Sequence, residues 1–239
     1  MKERYIGVTG ITTKEDVQVM TKALDGHLGM YGVLMSPHTL EGGKCTGRWA
    51  NLEDIPGLMA EMPKHALRTI HWCDGTDREK IVSAVDATDG YCNAIQLNLV
   101  YPSPDIFRML KEKYNLTNIF QIEKCMFEDP IIMKKKMEPY VGIVDYVLID
   151  QSMGAGKLLD AGISKAVASV LKDLGFGITH AGGLNGKRIL QPPIPELIIR
   201  DNASTDAEGQ LLKAYGDKLD HTEVVYYIES GKHIMRSKK

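Results

Sequence analysis

Tyr146-Val147-Leu148-Ile149-Asp150, a segment of helical period over Ser164–Leu174, then Gly177-Ile178-Thr179-His180-Ala181: these residues decide the fold. The first run is almost wholly apolar and rich in branched side chains. A strand with one wet face alternates apolar and polar residues; a short continuous apolar run suits a parallel strand covered on both faces. Two such runs joined by one helical segment make a βαβ unit, whose crossover is right-handed.

Outward from this stretch the unit repeats. Strands are expected at Tyr5–Thr9, Met30–Met35, Arg68–Trp72, Ala94–Asn98, Asn118–Ile122, Tyr146–Asp150, Gly177–Ala181 and Glu196–Arg200. Helical stripes fall between and after them. Lys14–Leu24 places Val17, Met20, Ala23 and Leu24 on one face, and Leu52–Met62, Arg78–Ala87, Asp105–Tyr114, Pro130–Tyr140 and Ala207–Leu219 behave alike. Thr13 followed by Asp16, Asn51 followed by Asp54, and Ser164 supply caps. Before the eighth expected strand, Gly186–Gln191 runs into Pro192-Pro193 and Pro195, which leaves room for barely two helical turns.

Eight such units within 239 residues predict an α/β protein, a single-domain (β/α)₈ barrel, close to the roughly 250 residues usual for it. The rival, an open doubly wound sheet, carries GxGxxG after its first strand, and Gly7-Val8-Thr9-Gly10 is not that motif. The barrel is expected over about residues 4–220. Residues 221–239 read as a short C-terminal extension: a strand at Val224–Ile228, a turn at Glu229–Lys232 and a basic end.

The composition, 44% hydrophobic and 25% charged, is that of a globular chain. With 29 basic against 31 acidic residues it lacks the basic footprint of a nucleic-acid binder. No apolar run approaches the roughly 18 residues of a membrane span, and Met1-Lys2-Glu3-Arg4 opens no signal peptide. Cys45, Cys73, Cys92 and Cys125 form no CxxC pair, so neither a disulfide framework nor a zinc site is expected. The expectation is a cytoplasmic monomer or homodimer without metal or cofactor, with no nucleic-acid or membrane partner.

Barrel enzymes place their chemistry at the C-terminal ends of the strands. Asp150 ends the most apolar strand, where a carboxyl acts as general acid or, alternatively, orders the following loop. Gly182-Gly183 let backbone amides approach a phosphate, or simply make a tight turn. Gly154-Ala155-Gly156-Lys157 is not a P-loop, because Gln151 replaces its first glycine and Leu158 its hydroxyl residue; it reads as a loop over the site. Arg48, in the long segment after the second strand, is a carboxylate clamp or a solvated arginine. His180 and His71 read as packed histidines, with His180 also a possible base.

In order, these positions resemble phosphoribosylanthranilate isomerase, a TIM-barrel enzyme of tryptophan biosynthesis. Its opening Lys-Ile-Cys-Gly-Ile-Thr is similar to Gly7-Val8-Thr9-Gly10-Ile11-Thr12, and its Lys-Arg-Tyr-Ile-Ser-Pro-Glu-Asp to Gly47-Arg48-Trp49-Ala50-Asn51-Leu52-Glu53-Asp54. Its Val-Gln-Leu-His resembles Ile95-Gln96-Leu97-Asn98. Its Leu-Leu-Asp with a following Gly-x-Gly-Lys and Asp resembles Leu148-Ile149-Asp150, Gly154–Lys157 and Asp160, and its Gly-Gly-Leu-Asn resembles Gly182-Gly183-Leu184-Asn185.

The resemblance implies an Amadori-type aldose–ketose isomerisation of a phosphorylated sugar derivative. Asp150 would be the acid, Arg48 the carboxylate clamp, and Asn98 a substrate contact. Gly182 and Gly183, with Asn202 and Ala203, would cradle phosphate. Thr9 stands where that family has its cysteine base, and a hydroxyl is far too weakly acidic to replace a thiolate. The family's strand-eight Val-Asp-Val-Ser-Ser-Gly is set against Ile199-Arg200-Asp201-Asn202-Ala203-Ser204, which lacks the glycine. A relocated base is then sought in Asp201, His180 or Cys45. The alternative is a barrel without catalysis that binds a phosphometabolite or a protein.

Overall fold

The computed structural model describes residues 2–42, 47–123, 126–127, 129–150, 160–213 and 218–237. Eight parallel strands form a closed ring: β1 (Ile6–Thr9), β2 (Gly29–Met35), β3 (Leu67–Cys73), β4 (Ala94–Asn98), β5 (Thr117–Glu123), β6 (Tyr146–Asp150), β7 (Gly177–Ala181) and β8 (Ser204–Ala207). Each pairs with the next, and β8 returns to β1 with Ile6 opposite Thr205. Among the described residues the helices are α1 (Lys14–Leu24), α2 (Pro37–Leu40), α3 (Ile55–Glu61), α4 (Arg78–Asp86), α5 (Pro104–Tyr114), α6 (Pro130–Met137), α7 (Ala161–Asp173), α8 (Ile194–Asp201) and α9 (His221–Arg236). None is long and apolar enough to cross a membrane.

The strands read as continuous apolar runs because they serve two cores. Outward-facing Val8, Ile70, Phe120, Val147 and Ile149 pack beneath the helices. Inward-facing Met30, Ile119, Tyr146 and Leu148 fill the barrel, with Tyr5 just ahead of β1. Tyr5 meets Tyr146 edge to face at 5.2 Å, and its phenol oxygen accepts 2.8 Å from Thr179 Oγ1. The plug is apolar and aromatic at the lower end, and polar side chains gather at the upper end.

The last unit differs from the expected one. Glu196–Arg200 is not a strand but the middle of α8. Its branched residues mimic a strand, yet Ile194, Leu197, Ile198 and Asp201 are buried at helical spacing. Pro195 lies in the first turn, where a proline starts a helix rather than stopping it. The true β8 is the polar Ser204-Thr205-Asp206-Ala207. The expected helix over Ala207–Leu219 gives way to this strand end and a 3₁₀ turn at Gly209–Leu211.

Residues 221–236 are likewise no hairpin. Val224–Ile228 lies inside the sixteen-residue α9, capped by Asp220. Val224, Tyr227, Ile228 and Ile234 form its buried face against α1, α8 and β1. Tyr227 donates to Thr205 Oγ1 at 2.8 Å, and the buried Lys232 ammonium donates to the Ala23 carbonyl at 2.8 Å. The Val-Val-Tyr-Tyr-Ile run is too short for period to separate helix from strand. At the other end of the chain, α1 has the expected Thr13–Asp16 capping box, and Asp16 also meets His221 Nε2 at 2.8 Å. The segment read as an extension thus supplies the last helix of the ring.

Candidate active site

Because all strands run one way, their C-terminal ends share one rim, and inward residues there face each other. A cavity of about 60 Å³ opens at this rim. His71, Gln121, Asp150 and Asp206 line it from the strands, with Arg48, Glu208 and the Gly182-Gly183 turn above.

Asp206 is the deepest acid, only 5% exposed. Burial pushes its carboxyl well above the usual range, and the charges of Glu208 and Asp150 push it further. The Thr9 hydroxyl, 3.4 Å from both Asp206 oxygens, and a hydrogen bond from the Ala207 amide oppose this without reversing it. Gly7 makes the room: a Cβ there would stand 2.8 Å from Asp206 Oδ1. Thr9, at the position of the resembled cysteine, therefore serves as a hydrogen-bond donor to this acid.

Glu208 follows β8 and forms an ion pair with Arg48. Burial raises its carboxyl, Arg48 draws it down and Asp150 pushes it up again. Arg48 is thus brought to the rim as expected, but its guanidinium is engaged by a carboxylate of this chain. A bridge between Leu34 and Trp49 fixes the segment against the end of β2. Asp150 ends β6 as read from the sequence, and its Oδ2 accepts from Gln121 Nε2 at 3.3 Å. His71 is buried beside them; burial drives its imidazole down to about 4, against the pull of Asp150. The nearby Cys73 thiol is pushed up to about 12 by burial and is no substitute for the absent cysteine base.

Gly182 and Gly183 adopt φ values of 104° and 63°, the left-handed region that favours glycine. Both line the cavity, beside Gly209 and Gln210 after β8. Gly209 stands two residues after the end of β8.

Other expected site residues lie elsewhere. Asn202 caps α8 in the left-handed region and Ala203 follows it; both precede β8, at the end of the barrel opposite the rim. Neither can hold a phosphate at the mouth. His180 faces outward from β7, where Nε2 meets Asp201 Oδ2 of α8 at 3.1 Å. Asp201 also takes Arg200, with Lys172 at 3.6 Å. This pair is no base for the cavity. Asn98 stands at the end of β4, level with Gln121, and does not line the cavity. Gly154, Gly156 and Cys45 lie outside the described residues. Among the described residues no group of three or more His, Cys, Asp or Glu side chains is arranged to hold a metal ion.

The His180–Asp201 contact should appear in stability instead. Burial pushes the Asp201 carboxyl up, but hydrogen bonds and charge from His180 and Arg200 outweigh it and bring it down to about 2. A carboxyl lowered on folding stabilises the native state above its unfolded value of about 4, and that contribution fades as pH falls towards 2. Asp201→Asn is expected to cost about 3 kcal/mol at pH 7. Thermal melts from pH 7 to pH 3 should draw steadily closer for the two chains.

No protein-family model matches the chain, and no curated protein matches it. Solved structures do. Phosphoribosyl anthranilate isomerase from Thermococcus kodakaraensis superposes with a TM-score of 0.67 at 15% identity, covering 99% of this chain and 100% of that one. The chain is a TIM barrel. Triosephosphate isomerase from Bartonella henselae gives 0.63 at 7% identity over 97% and 100% of the two chains. Orotidine 5'-monophosphate decarboxylase from Methanocaldococcus jannaschii gives 0.55 at 12% over 95% and 98%. At these identities the likeness carries the TIM-barrel fold; chemistry has to be argued from the rim.

Proposed function

We propose that this TIM barrel is an isomerase that converts a phosphorylated aldose derivative to its ketose form by an Amadori-type rearrangement. The observation that carries the reading is that Asp206 and Asp150 line one cavity, where burial and neighbouring charge raise the Asp206 carboxyl well above its usual range. Aldose–ketose isomerisation needs one group to give a proton to oxygen and another to take one from carbon. Asp206 gives, and Asp150, oriented by Gln121, takes. This reverses the role that the resemblance implies for Asp150 and removes the need for a base at Thr9. The Gly182-Gly183 and Gly209-Gln210 backbone walls are the place for the phosphate.

The test is conversion of phosphoribosylanthranilate and other N-substituted ribosylamine phosphates by the purified chain, followed by chromatography of the ketose product. Asp150→Asn should lower the rate at least about a hundredfold. Full activity in that variant would sink the mechanism.

The engagement of Arg48 by Glu208 favours a second reading, a barrel that binds a phosphometabolite without converting it. Saturable binding of these compounds with no product would select it.

A further inference from the structure

The hydrogen bonds across the barrel point to one tautomer of His71. A carboxylate oxygen only accepts, so Asp150 Oδ2 sets the Gln121 amide with its nitrogen towards Asp150. Gln121 Oε1 then accepts from Gln96 Nε2 at 2.8 Å. The same Gln96 nitrogen lies 3.4 Å from His71 Nε2. An amide nitrogen only donates, so His71 Nε2 accepts and the ring proton sits on Nδ1. Nδ1 is buried and has no hydrogen-bond partner, while the ring lines the cavity and is 4% exposed. A buried N–H without an acceptor is unfavourable and calls for a partner.

We propose that His71 donates its Nδ1 hydrogen to an oxygen of the bound sugar phosphate, and that Gln96 and Gln121 are positioning residues that hold it in this tautomer. The ligand rests on the function proposed above; the donor assignment does not. Burial keeps the imidazole neutral at physiological pH, with Asp150 and Arg48 the charged groups that act on it. A neutral imidazole supplies a hydrogen bond to an oxygen gathering negative charge and keeps its own proton. It leaves proton transfer to Asp150 and Asp206. The chain of amides also makes the tautomer depend on Asp150, about which His71, Gln96 and Gln121 form one network.

The tautomer is read by nitrogen-15 NMR of the full-length, unaltered chain at pH 7, so this part needs no variant to fold. An Nδ1–H ring is expected, and Gln96→Leu should mix the two tautomers. Ribose 5-phosphate is the probe for the ligand, and it should shift the Nδ1 resonance. His71→Asn places an amide N–H near the Nδ1 position and should bind the probe within about threefold of the parent. His71→Gln reaches the Nε2 position and should bind about tenfold more weakly. An Nε2–H ring overturns the donor assignment, and equal binding by the two variants overturns the contact with the sugar. If the unaltered chain does not bind ribose 5-phosphate, the phosphorylated-sugar reading falls and takes the ligand contact with it, while the tautomer still decides the donor.

Discussion

Asp206→Asn is expected to reduce turnover by about a thousandfold while leaving the barrel folded. General acid catalysis contributes roughly 10²–10⁴ in rate, and Asp206, the proposed acid, is raised well above the usual carboxyl range by its surroundings. Asparagine has nearly the shape of a neutral aspartic acid and can still accept from the Thr9 hydroxyl, but it has no proton to give. The stability effect has the opposite sign. A carboxyl raised on folding makes the native state lose stability as pH climbs from the unfolded value towards the folded one, because the unfolded chain ionises first. The variant lacks this loss, so at pH 7 it should melt at or above the parent temperature. The parent should also lose activity on the alkaline side as Asp206 ionises. A pH–rate profile beside thermal melts checks both: an active, equally stable variant would remove Asp206 from the mechanism.

A chain ending at Asp220 is expected not to fold. Removing α9 strips cover from Ile6, whose side chain lies against Gly231, and deletes the buried Val224, Tyr227, Ile228 and Ile234. Burying each such side chain contributes about 1.5–3 kcal/mol, so their sum matches the whole net stability of an ordinary domain, about 5–15 kcal/mol. Lost with them are the Tyr227–Thr205 and Lys232–Ala23 hydrogen bonds and the Asp16–His221 contact. The truncated chain should lack a cooperative melt and should elute as aggregate in gel filtration. An unchanged melting midpoint would return residues 221–239 to the status of an appendage.

That difference measures what the sequence carries in plain view. The bounds of α1, β4, β6 and β7 are those expected, because each is a clear helical stripe or a short, largely apolar run. In the last unit both signals invert. The helix α8 is rich in isoleucine, and the strand β8 is polar because Asp206 faces the cavity. Reading the branched run as the strand moved the eighth strand by eight residues at its start, so Asn202 and Ala203 replaced Asp206 and Glu208 as expected site residues. Asp150 and the Gly182-Gly183 turn were legible because each directly ends an unmistakable strand. His71 was not, since its meaning lies in Gln96 and Gln121 on two other strands, which only closure of the sheet brings beside it.

The ring also has one joint unlike the others. Ile6 faces Gly29 after 23 residues of chain but faces Thr205 after 199. The entropy of closing a loop grows with the logarithm of its length, so the β1–β8 ladder costs about 2 kcal/mol more to close than the β1–β2 ladder. Until it forms, both strands are open edges able to pair with another molecule. α9 lies across this joint, tying Thr205 through Tyr227 and α1 through Lys232. α9 follows both strands in chain order, so the interval before it docks is the period of greatest exposure to misassembly.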